Sequence, residues 1–572
     1  MDKYNLLYTP QGEAISEESW LVYPRPQMVR DSFYSLNGWW EFGCGENKAY
    51  TEKIRVPFAP ESRLSLVGRA HMKGDKLFYR KRFSLPEGFV KKRVLLNIGA
   101  CDQVCRVSLN GHEIGSHEGG YHPFAFDVTD ALLEENELEI CAADELEKHE
   151  FPYGKQTDKR GGMWYTCVSG VWQTVWLESV PEKYIRKISV ETGRDYALIC
   201  VEGDTGEGEV SVSGQTERVF PLKDGKARIE IPDPVLWSPE NPHLYDFTVT
   251  CGEDEVKSYF ALRTLEVKDI GGIKRMCLNG KPYFFHGVLD QGYYSDGLFT
   301  PAAPENYEND IRYLKSLGFN TIRKHIKAEP EWFYYLCDKM GMCVWQDMIN
   351  NADYHFLRDT LLPTIGFKKR NDKRMHGNEI NRKRFIECME ETVLRLKNHP
   401  SVVYWTIFNE GWGQFDSQRM YEKMKKLDAS RFIATVSGWF KGADTDVSAE
   451  HVYFKPVRIK AGHKPVVVSE FGGYAYQVKG HVFNSGKEYG YKKFKKREEL
   501  VRGIVSLYER EIVPAISKGL CGAIYTQLSD VEDETNGLLT YDRRIVKVQP
   551  EEFWPVSQAI NEEVQKIQKG QD

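Results

Sequence analysis

Long hydrophobic runs, closely paired cysteines and a strong excess of either charge are missing from this sequence of 572 residues. No uninterrupted apolar run approaches the roughly 18–20 residues of a membrane span, and the first residues lack the apolar centre of a signal peptide. The 12 cysteines form no CxxC pair, which disfavours a structural zinc site and favours buried, reduced thiols. A net charge of −6 disfavours a nucleic-acid binder. We therefore expect a cytoplasmic protein that binds neither nucleic acid nor a membrane.

The chain is too long for one hydrophobic core, because single domains rarely exceed roughly 250–300 residues. Residues 1–182 contain short apolar runs of strand length, separated by turns such as Asn110-Gly111, and helical periodicity is nearly absent. This pattern predicts an N-terminal jelly-roll β-sandwich. Residues 183–268 alternate apolar and polar side chains over a length typical of an immunoglobulin-like β-sandwich.

The pattern changes in residues 269–572, where apolar strand-like runs alternate with amphipathic helical stretches. Eight strands and intervening helices in about 300 residues predict a C-terminal (β/α)8 TIM barrel. We expect its strands at 283–288, 319–323, 342–345, 402–408, 432–436, 452–454, 466–469 and 522–526. We expect its helices at 306–317, 330–340, 384–397, 417–427 and 498–517.

Two of these predicted strands end in a glutamate, Glu410 after the fourth and Glu470 after the seventh. Barrel enzymes carry their catalytic groups at the carboxyl ends of the strands. Cleavage of a glycosidic bond needs two carboxyl groups, one that protonates the leaving oxygen and one that attacks the sugar or activates water. Either glutamate alone could simply begin a loop. The pair, with Asn409 before one and two glycines after the other, favours a glycosidase.

Short motifs follow one another along nearly the whole chain. The first two parts contain Tyr23-Pro-Arg-Pro26, Leu36-Asn-Gly-Trp-Trp-Glu-Phe42, His117-Glu-Gly-Gly-Tyr121, the run 169–178 and Phe260-Ala-Leu-Arg-Thr264. The barrel part contains Leu278-Asn-Gly-Lys-Pro282, Arg323-Lys-His325, Asn398-His-Pro-Ser401, Phe408-Asn-Glu-Gly-Trp412 and Ser469-Glu-Phe-Gly-Gly473. With these motifs, of which the last two are specific, the sequence resembles glycoside hydrolase family 2. That family contains β-galactosidases, β-glucuronidases and β-mannosidases.

The resemblance implies catalytic and binding roles in a retaining mechanism. Glu410 resembles the acid/base and Glu470 the nucleophile. Asn409 would bond the 2-hydroxyl of the sugar, a contact that tightens as positive charge develops on the ring. His325 would bind sugar hydroxyls, or would be a buried histidine at a strand end.

Further candidates rest on the same resemblance or on their position. His451 and Tyr453 resemble the family's His-x-Tyr pattern, and Tyr453 would hold Glu470 ionised through a hydrogen bond, or would be a core tyrosine. Four polar residues near strand ends either cap loops or contact the sugar: Asp290, Gln291, Asp347 and Asp530. Four aromatic residues are candidate walls against a pyranose face: Trp412, Trp439, Tyr474 and Tyr525. For Tyr525, a position in the core is an equal alternative.

The spacing of the two glutamates predicts the form of the connections between them. They are 60 residues apart, whereas three βα units usually need about 90 at roughly 30 per unit. The sequence offers one good helix there, at 417–427. We therefore expect short, mostly irregular connections after the fifth and sixth strands.

The sugar is less well defined. β-Galactosidase is the default, because that activity is widespread in the family. Resemblance to the glucuronidases would imply an Asn-x-Lys clamp after the eighth strand, but residues 530–543 contain no Lys, and Asn381-Arg-Lys383 matches the pattern in a different loop. That basic loop, 367–384, carries eight basic and two acidic residues, which predicts either solvated surface or a subsite for an acidic group. The alternative is a β-glucuronidase or another β-glycosidase that acts on an acidic substrate.

Two other classes of protein fit less well. A non-catalytic carbohydrate-binding protein would be expected to have lost one of the two carboxylates. A zinc hydrolase would need His451, His463 and His481 as ligands, and their spacings of 12 and 18 fit no standard pattern. Since carboxylates can carry both catalytic roles, we expect a glycoside or oligosaccharide substrate and neither a cofactor nor a metal. The oligomeric state is left open, a homo-oligomer included.

Overall fold

The computed structural model describes residues 4–569 except 18, 71–73, 146–149, 205, 214–217, 365–366, 368–371 and 441–442. Two β-sandwiches precede a barrel of parallel strands, as the three sequence patterns predicted. Among the described residues we find no helix with the length and hydropathy that a bilayer crossing requires. All twelve cysteines are free thiols, and nine of them are buried.

The N-terminal sandwich consists of a six-stranded and a four-stranded antiparallel sheet around one apolar core. Strand Asn136–Ala143 shows the underlying pattern, because its side chains alternate between buried and half-buried along its whole length. The strands of this domain are Tyr34–Ser35, Gly38–Gly45, Glu52–Val56, Lys76–Phe83, Arg93–Ile98, Cys101–Asp102, Val104–Leu109, His112–Glu118, Phe124–Asp127, Asn136–Ala143, Gln156–Thr157, Tyr165–Thr166, Gly170–Val171 and Val175–Val180.

The second sandwich is smaller, with sheets of three and four antiparallel strands. In strand Lys226–Glu230, Ala227 and Ile229 are buried between exposed neighbours, so alternation again selects the core face. The strands of this domain are Ile185–Thr192, Tyr196–Gly203, Gly208–Val212, Arg218–Leu222, Lys226–Glu230, Tyr245–Cys251 and Asp254–Phe260.

A small antiparallel sheet connects the second sandwich to the barrel. Its strands are Leu265–Ile270, Ile273–Leu278 and Lys281–Pro282. Arg275 in this sheet donates hydrogen bonds to the carbonyls of Ile516 and Leu520 at the amino end of a barrel strand. The predicted boundary at residue 268 falls inside the first of these strands. The domain limits themselves stay predictions.

Eight parallel strands form the barrel: β1 Phe285–Asp290, β2 Thr321–Lys324, β3 Cys343–Asp347, β4 Val402–Asn409, β5 Phe432–Ser437, β6 Ser448–Val452, β7 Val466–Gly472 and β8 Leu520–Thr526. They follow the order β5-β4-β3-β2-β1-β8-β7-β6, and β5 and β6 lie next to each other, so the sheet is nearly closed. Apart from β6, every residue of these strands is buried. Burial on both faces explains why they read as continuous apolar runs.

The sixth strand differs from the prediction of 452–454. It is Ser448–Val452, and Phe454 beyond it is 75% exposed. The prediction followed the apolar run, so its bounds left Glu450 and His451 just outside the strand. His451 nevertheless lies on the strand and is buried, because it faces the site described below.

The five predicted helices lie within about five residues of observed ones, and the fifth prediction (498–517) is interrupted by a π-helical turn at Tyr508–Ile512. The C-terminal helix Pro550–Lys569 was not predicted. As expected, the connections 438–447 and 453–465 contain no helix in their described residues. The α-helices are Pro10–Glu13, Glu305–Ser316, Glu331–Met340, Leu362–Thr364, Glu379–Leu396, Ser417–Leu427, Arg497–Leu507, Val513–Ser517 and Pro550–Lys569. A second π-helical turn is Leu357–Leu361, and 3-10 turns are Thr129–Ala131 and Asp372–Arg374.

Candidate active site

Glu410 and Glu470 face each other at the carboxyl ends of the barrel strands. Glu410 follows β4 directly, and Glu470 lies near the end of β7. A carboxylate oxygen of one lies within 4.8 Å of a carboxylate oxygen of the other. Retaining glycosidases hold their two carboxyl groups about 5–5.5 Å apart, and inverting enzymes about 6.5–9.5 Å. The spacing therefore fits direct attack by one carboxylate.

Glu470 is buried among hydrogen-bond donors and positive charges. Tyr453 Oη donates to its Oε2 at 2.6 Å, and Arg323 Nη1 donates to its Oε1 at 2.9 Å. Burial alone raises the pKa of this carboxyl, but the charges of His451 and Arg323 and the bond from Tyr453 outweigh it and hold the pKa well below its ordinary value. Glu470 is thus an ionised carboxylate at neutral pH.

His451 lies between the two carboxylates. Its Nδ1 is 2.7 Å from Glu410 Oε1 and 3.4 Å from Glu470 Oε2. The ring of Trp439 packs edge-on against the imidazole, with 5.8 Å between ring centres. Contact with one shared imidazole keeps the two carboxylates turned toward each other.

Arg323, at the carboxyl end of β2, connects most of the site and is fully buried. It makes two parallel hydrogen bonds to Asp347, of 3.0 and 2.9 Å, and donates to Glu470 and to Asn409 Oδ1, each at 2.9 Å. A guanidinium suits this position because its planar donors can serve several acceptors at once. The sequence motif contained Arg323, but its role follows only from the fold.

Asp347 and Asn409 are both oriented by Arg323. Asp347 Oδ2 is also 2.7 Å from His325 Nδ1. Burial raises the pKa of Asp347, but Arg323 and His325 lower it to about 2. Asn409 Oδ1 accepts from Arg323 and from Ser437 Oγ, each at 2.9 Å. Its amide nitrogen is therefore the end that is left to meet a ligand.

Asp290 already has protein partners for both of its oxygens. Oδ1 accepts from the backbone N of Gly292 at 2.8 Å, and Oδ2 pairs with Lys324 at 2.5 Å. Lys324 also pairs with Glu329 at 2.9 Å. Asp290 thus fixes the loop after β1, as the loop-capping alternative expects, and a contact with the sugar stays a prediction.

Two of the predicted aromatic walls, Trp439 and Trp412, lie on the catalytic face. Trp439 is half-buried beside His451. Trp412 is only 4% exposed, and its Nε1 donates to the carbonyl of Ala352 at 2.6 Å. Trp412 therefore supports its neighbours more than it presents a free ring face.

The other two, Tyr525 and Tyr474, have core or peripheral contacts. Tyr525 is fully buried and packs edge-on against Phe471, so the prediction that it contacts the sugar is wrong. The core alternative holds because this side chain faces the helices around the barrel. Tyr474 packs against Phe494, and a contact with substrate stays a prediction.

Residues 153–166 of the N-terminal sandwich, here named the crossing loop, reach the catalytic face of the barrel. Trp164 packs edge-on against Trp412 with 5.0 Å between ring centres, and Tyr165 Oη donates to Glu534 Oε1 at 2.7 Å. Sequence reasoning missed this loop. Its glycines and aromatic residues indicated an unusual turn, but no local pattern shows which surface of another domain a loop will meet.

Two further residues of the site were not predicted. Tyr491, which is followed in the sequence by a run of basic residues, stacks on Tyr453 with 3.7 Å between ring centres. Gln527, directly after β8, donates from Nε2 to Glu534 Oε2 at 2.9 Å. The stacked ring of Tyr491 holds Tyr453 in line with Glu470.

Two arginines of the basic loop 367–384 make structural contacts, and residues 368–371 of this loop lie outside the described part. Arg382 donates to the backbone carbonyl of His376 at 2.8 Å. Arg384 pairs with Glu118 of the N-terminal sandwich. Arg382 and Arg384 therefore each hold two segments together, and whether the loop also binds an acidic group stays a prediction.

The loop after β8 contains no free lysine in place of the missing Asn-x-Lys clamp. Lys547, the first lysine after β8, is buried and its Nζ bonds Asp530 Oδ1 at 2.6 Å. Burial raises the pKa of Asp530 to about 6, against the lowering effect of Lys547. Asp530 is therefore a structural partner of Lys547.

Glu410, His451 and Glu470 offer donor atoms within 4.8 Å of one another, a spacing that could also hold a metal ion. The same atoms make the hydrogen bonds and ion pairs described above. The expectation that no metal is needed stays a prediction, tested below.

All three parts of the chain match sequence models of a single family. The galactose-binding domain-like part of glycosyl hydrolase family 2 matches residues 52–202, a second family 2 domain matches 188–263, and the family 2 TIM barrel domain matches 265–543. The chain belongs to glycoside hydrolase family 2. It is a glycoside hydrolase, as the strand-end glutamates predicted.

Curated members of family 2 are similar over most of the chain. A β-galactosidase of Thermoanaerobacter pseudethanolicus is 26% identical over 440 residues, which cover 71% of this chain and 55% of that protein. A β-glucuronidase of Felis catus is 25% identical over 499 residues, which cover 76% of this chain and 72% of that protein. The chain thus spans about half of the β-galactosidase.

Solved family 2 structures share the fold. A β-glucuronidase of an uncultured Clostridium has a TM-score of 0.71 at 19% identity, covering 95% of this chain and 100% of its own. A β-galacturonidase of Eisenbergiella tayi bound to galacturonate has a TM-score of 0.69 at 20% identity, covering 94% and 99%. At this identity the similarity concerns the three-domain architecture.

Proposed function

We propose that this family 2 member is a retaining exo-β-glycosidase that removes a terminal β-linked uronic acid. Glu470 would be the nucleophile and Glu410 the acid/base. The observation that carries the mechanism is the pair of carboxylate oxygens within 4.8 Å of each other, one of them held ionised by its neighbours.

The chemistry follows from the positions of these groups. Glu470 attacks the anomeric carbon while Glu410 gives its proton to the leaving oxygen, which forms a covalent glycosyl ester. The ester removes the negative charge of Glu470, and Glu410 then takes a proton from the water that hydrolyses it. The amide nitrogen of Asn409, oriented by Arg323, suits the sugar 2-hydroxyl. Two inversions at one carbon give net retention.

The proposed substrate class draws on two kinds of support. Relatives named β-glucuronidase, and solved structures named for β-glucuronidase and β-galacturonidase, are prominent among the similar proteins. The crossing loop lies over one side of the catalytic face, which favours a pocket for a terminal sugar over an open groove. A β-galactoside remains the second candidate, because the β-galactosidase of T. pseudethanolicus is as similar in sequence.

A panel of p-nitrophenyl glycosides tests this proposal. It should contain the β-glucuronide, β-galacturonide, β-galactoside, β-glucoside, β-mannoside and α-arabinopyranoside. We expect the highest kcat/KM on one of the two uronides, and 1H NMR of the first product should show the β-anomer. Preference for a neutral glycoside would overturn the substrate class, and an α-anomer as first product would overturn the mechanism.

The free thiols favour a reducing compartment, so we propose that this activity is located in the cytoplasm.

A further inference from the structure

The crossing loop is held against the barrel at both ends. At its start, the backbone N of Tyr153 and that of Gly154 both donate to the carbonyl of Asn350, after β3, at 3.0 Å. At its end, the backbone N of Thr166 donates to Glu532 Oε1, after β8, at 2.9 Å. Anchors on two barrel loops fix the position of the residues between them over the catalytic face.

Lys155 is the first side chain after this anchor, next to the predicted sugar-binding histidine. A Cβ added to Gly154 would lie 2.8 Å from the carbonyl of Ile326, the residue after His325, so the two backbones touch here. The ammonium of Lys155 lies 5.6 Å from the centre of the Trp164 ring, and the side chain is half-buried. A cation–π contact of this kind orients the charge without neutralising it.

Five cations around the site have a carboxylate partner, whereas Lys155 has none within ion-pair distance in the described part of the chain. The paired cations are Arg160 with Glu532, Arg323 with Asp347, Lys324 with Asp290, Lys327 with Glu329 and Lys547 with Asp530. A half-buried ammonium without a carboxylate can accept an anionic ligand without losing an existing ion pair.

The charge of Lys155 acts on residues from two sides of the barrel mouth. Burial raises the pKa of Glu534, after β8, and the charge of Lys155 opposes that rise. Burial lowers the pKa of His325, after β2, and the same charge lowers it further. Lys155 thus lies close enough to both loops to interact with a sugar held between them.

We propose that Lys155, from the N-terminal sandwich, binds the carboxylate of the terminal uronic acid. This inference rests on the proposed function and deepens it: the barrel supplies the chemistry and the sandwich supplies the selection for an acidic sugar. Lys155 would supply a cation for the sugar carboxylate. The segment after β8 cannot supply a lysine, since residues 530–543 contain no Lys. Trp164, held against Trp412, keeps the ammonium in position.

Three variants test this role. Lys155→Met keeps the aliphatic stem and removes the charge, Lys155→Arg keeps the charge, and Lys159→Met removes an exposed charge from the same loop as the matched control. For each, kcat and KM are measured on the p-nitrophenyl β-glucuronide, β-galacturonide, β-glucoside and β-galactoside. Thermal unfolding checks that the variants fold.

Lys155→Met should lower the ratio of uronide to neutral-glycoside kcat/KM by about 10- to 100-fold, mainly through KM, because one charge-assisted hydrogen bond is lost. Lys155→Arg should keep part of that ratio, and Lys159→Met should keep all of it. An unchanged ratio in Lys155→Met, with wild type active on uronides, would overturn this inference and leave the proposed function standing. Wild type that cleaves only neutral glycosides would overturn both.

Discussion

Arg323 and Asp347 are joined by two parallel hydrogen bonds, of 3.0 and 2.9 Å, at the carboxyl ends of neighbouring barrel strands. The same guanidinium also donates to Glu470, so the orientation of the proposed nucleophile depends on a pair of buried charges behind it. Both partners are at most 1% exposed. Removal of either one leaves an uncompensated charge in the barrel.

Asp347→Asn should therefore destabilise the protein by about 3 kcal/mol or more at pH 7. The pKa of Asp347 in the folded state is about 2, below the roughly 3.9 of an unfolded chain. Its ionised form therefore stabilises the fold above about pH 4, and that contribution is lost as the pH falls through about 2. Thermal unfolding should show a large deficit at pH 7 that shrinks toward pH 3. Asp233→Asn, at an exposed position, is the control, and equal melting temperatures for the two variants at pH 7 would contradict the argument.

Glu470→Gly should abolish turnover and allow azide or formate to restore product formation. A small anion can occupy the space of the lost carboxylate and attack the anomeric carbon from the same face. The product with azide should be the α-glycosyl azide, identified by NMR. No rescue across a range of anions and activated substrates would argue against Glu470 as the nucleophile.

Glu410→Ala should affect substrates in proportion to the basicity of their leaving groups. A 2,4-dinitrophenolate leaves without a proton, whereas an alkoxide needs one from the acid. We expect small losses in kcat/KM for the first kind of substrate and losses of at least about 100-fold for the second. Uniform losses across the series would contradict the acid/base assignment.

Tyr453→Phe removes the hydrogen bond of 2.6 Å to Glu470. We expect kcat/KM to fall by about 10- to 100-fold, the usual effect of a hydrogen bond to a charged group. That bond lowers the pKa of Glu470, so without it the pKa rises and the acid limb of the pH–rate profile should move to higher pH. Tyr508→Phe is the matched control, because that buried hydroxyl has no hydrogen-bond partner in the described residues. Identical profiles for wild type and Tyr453→Phe would refute the role.

Dialysis against EDTA should leave kcat and KM unchanged. The three donor atoms of Glu410, His451 and Glu470 then serve proton transfer and attack, as their contacts suggest. Loss of activity that Mg²⁺, Mn²⁺ or Zn²⁺ restores would show that a bound metal takes part and would require a different mechanism.

The sequence by itself predicted the architecture, which the structure confirms, and the proposed catalytic pair. Hydrophobic periodicity is a local property, so alternation predicted the sandwiches, and buried runs that end in Glu410 and Glu470 predicted the barrel and its chemistry. The same logic failed at β6, where His451 faces the site and breaks the apolar pattern. It also failed for Tyr525, because an aromatic residue near a strand end can face either the pocket or the surrounding helices.

Only the tertiary structure decided how the two proposed catalytic glutamates are supported and which charges have no carboxylate partner among the described residues. Arg323 contacts residues of four strands, and such convergence leaves no trace in local spacing. The eight cations in the loop 367–384 favoured a subsite for an acidic group as one of two alternatives. In the structure, Arg382 and Arg384 of this loop bind structural partners. Lys155 lies in another domain, more than 150 residues before any barrel strand except β1. It reaches the site because long-range packing, and not sequence proximity, determines which charges meet.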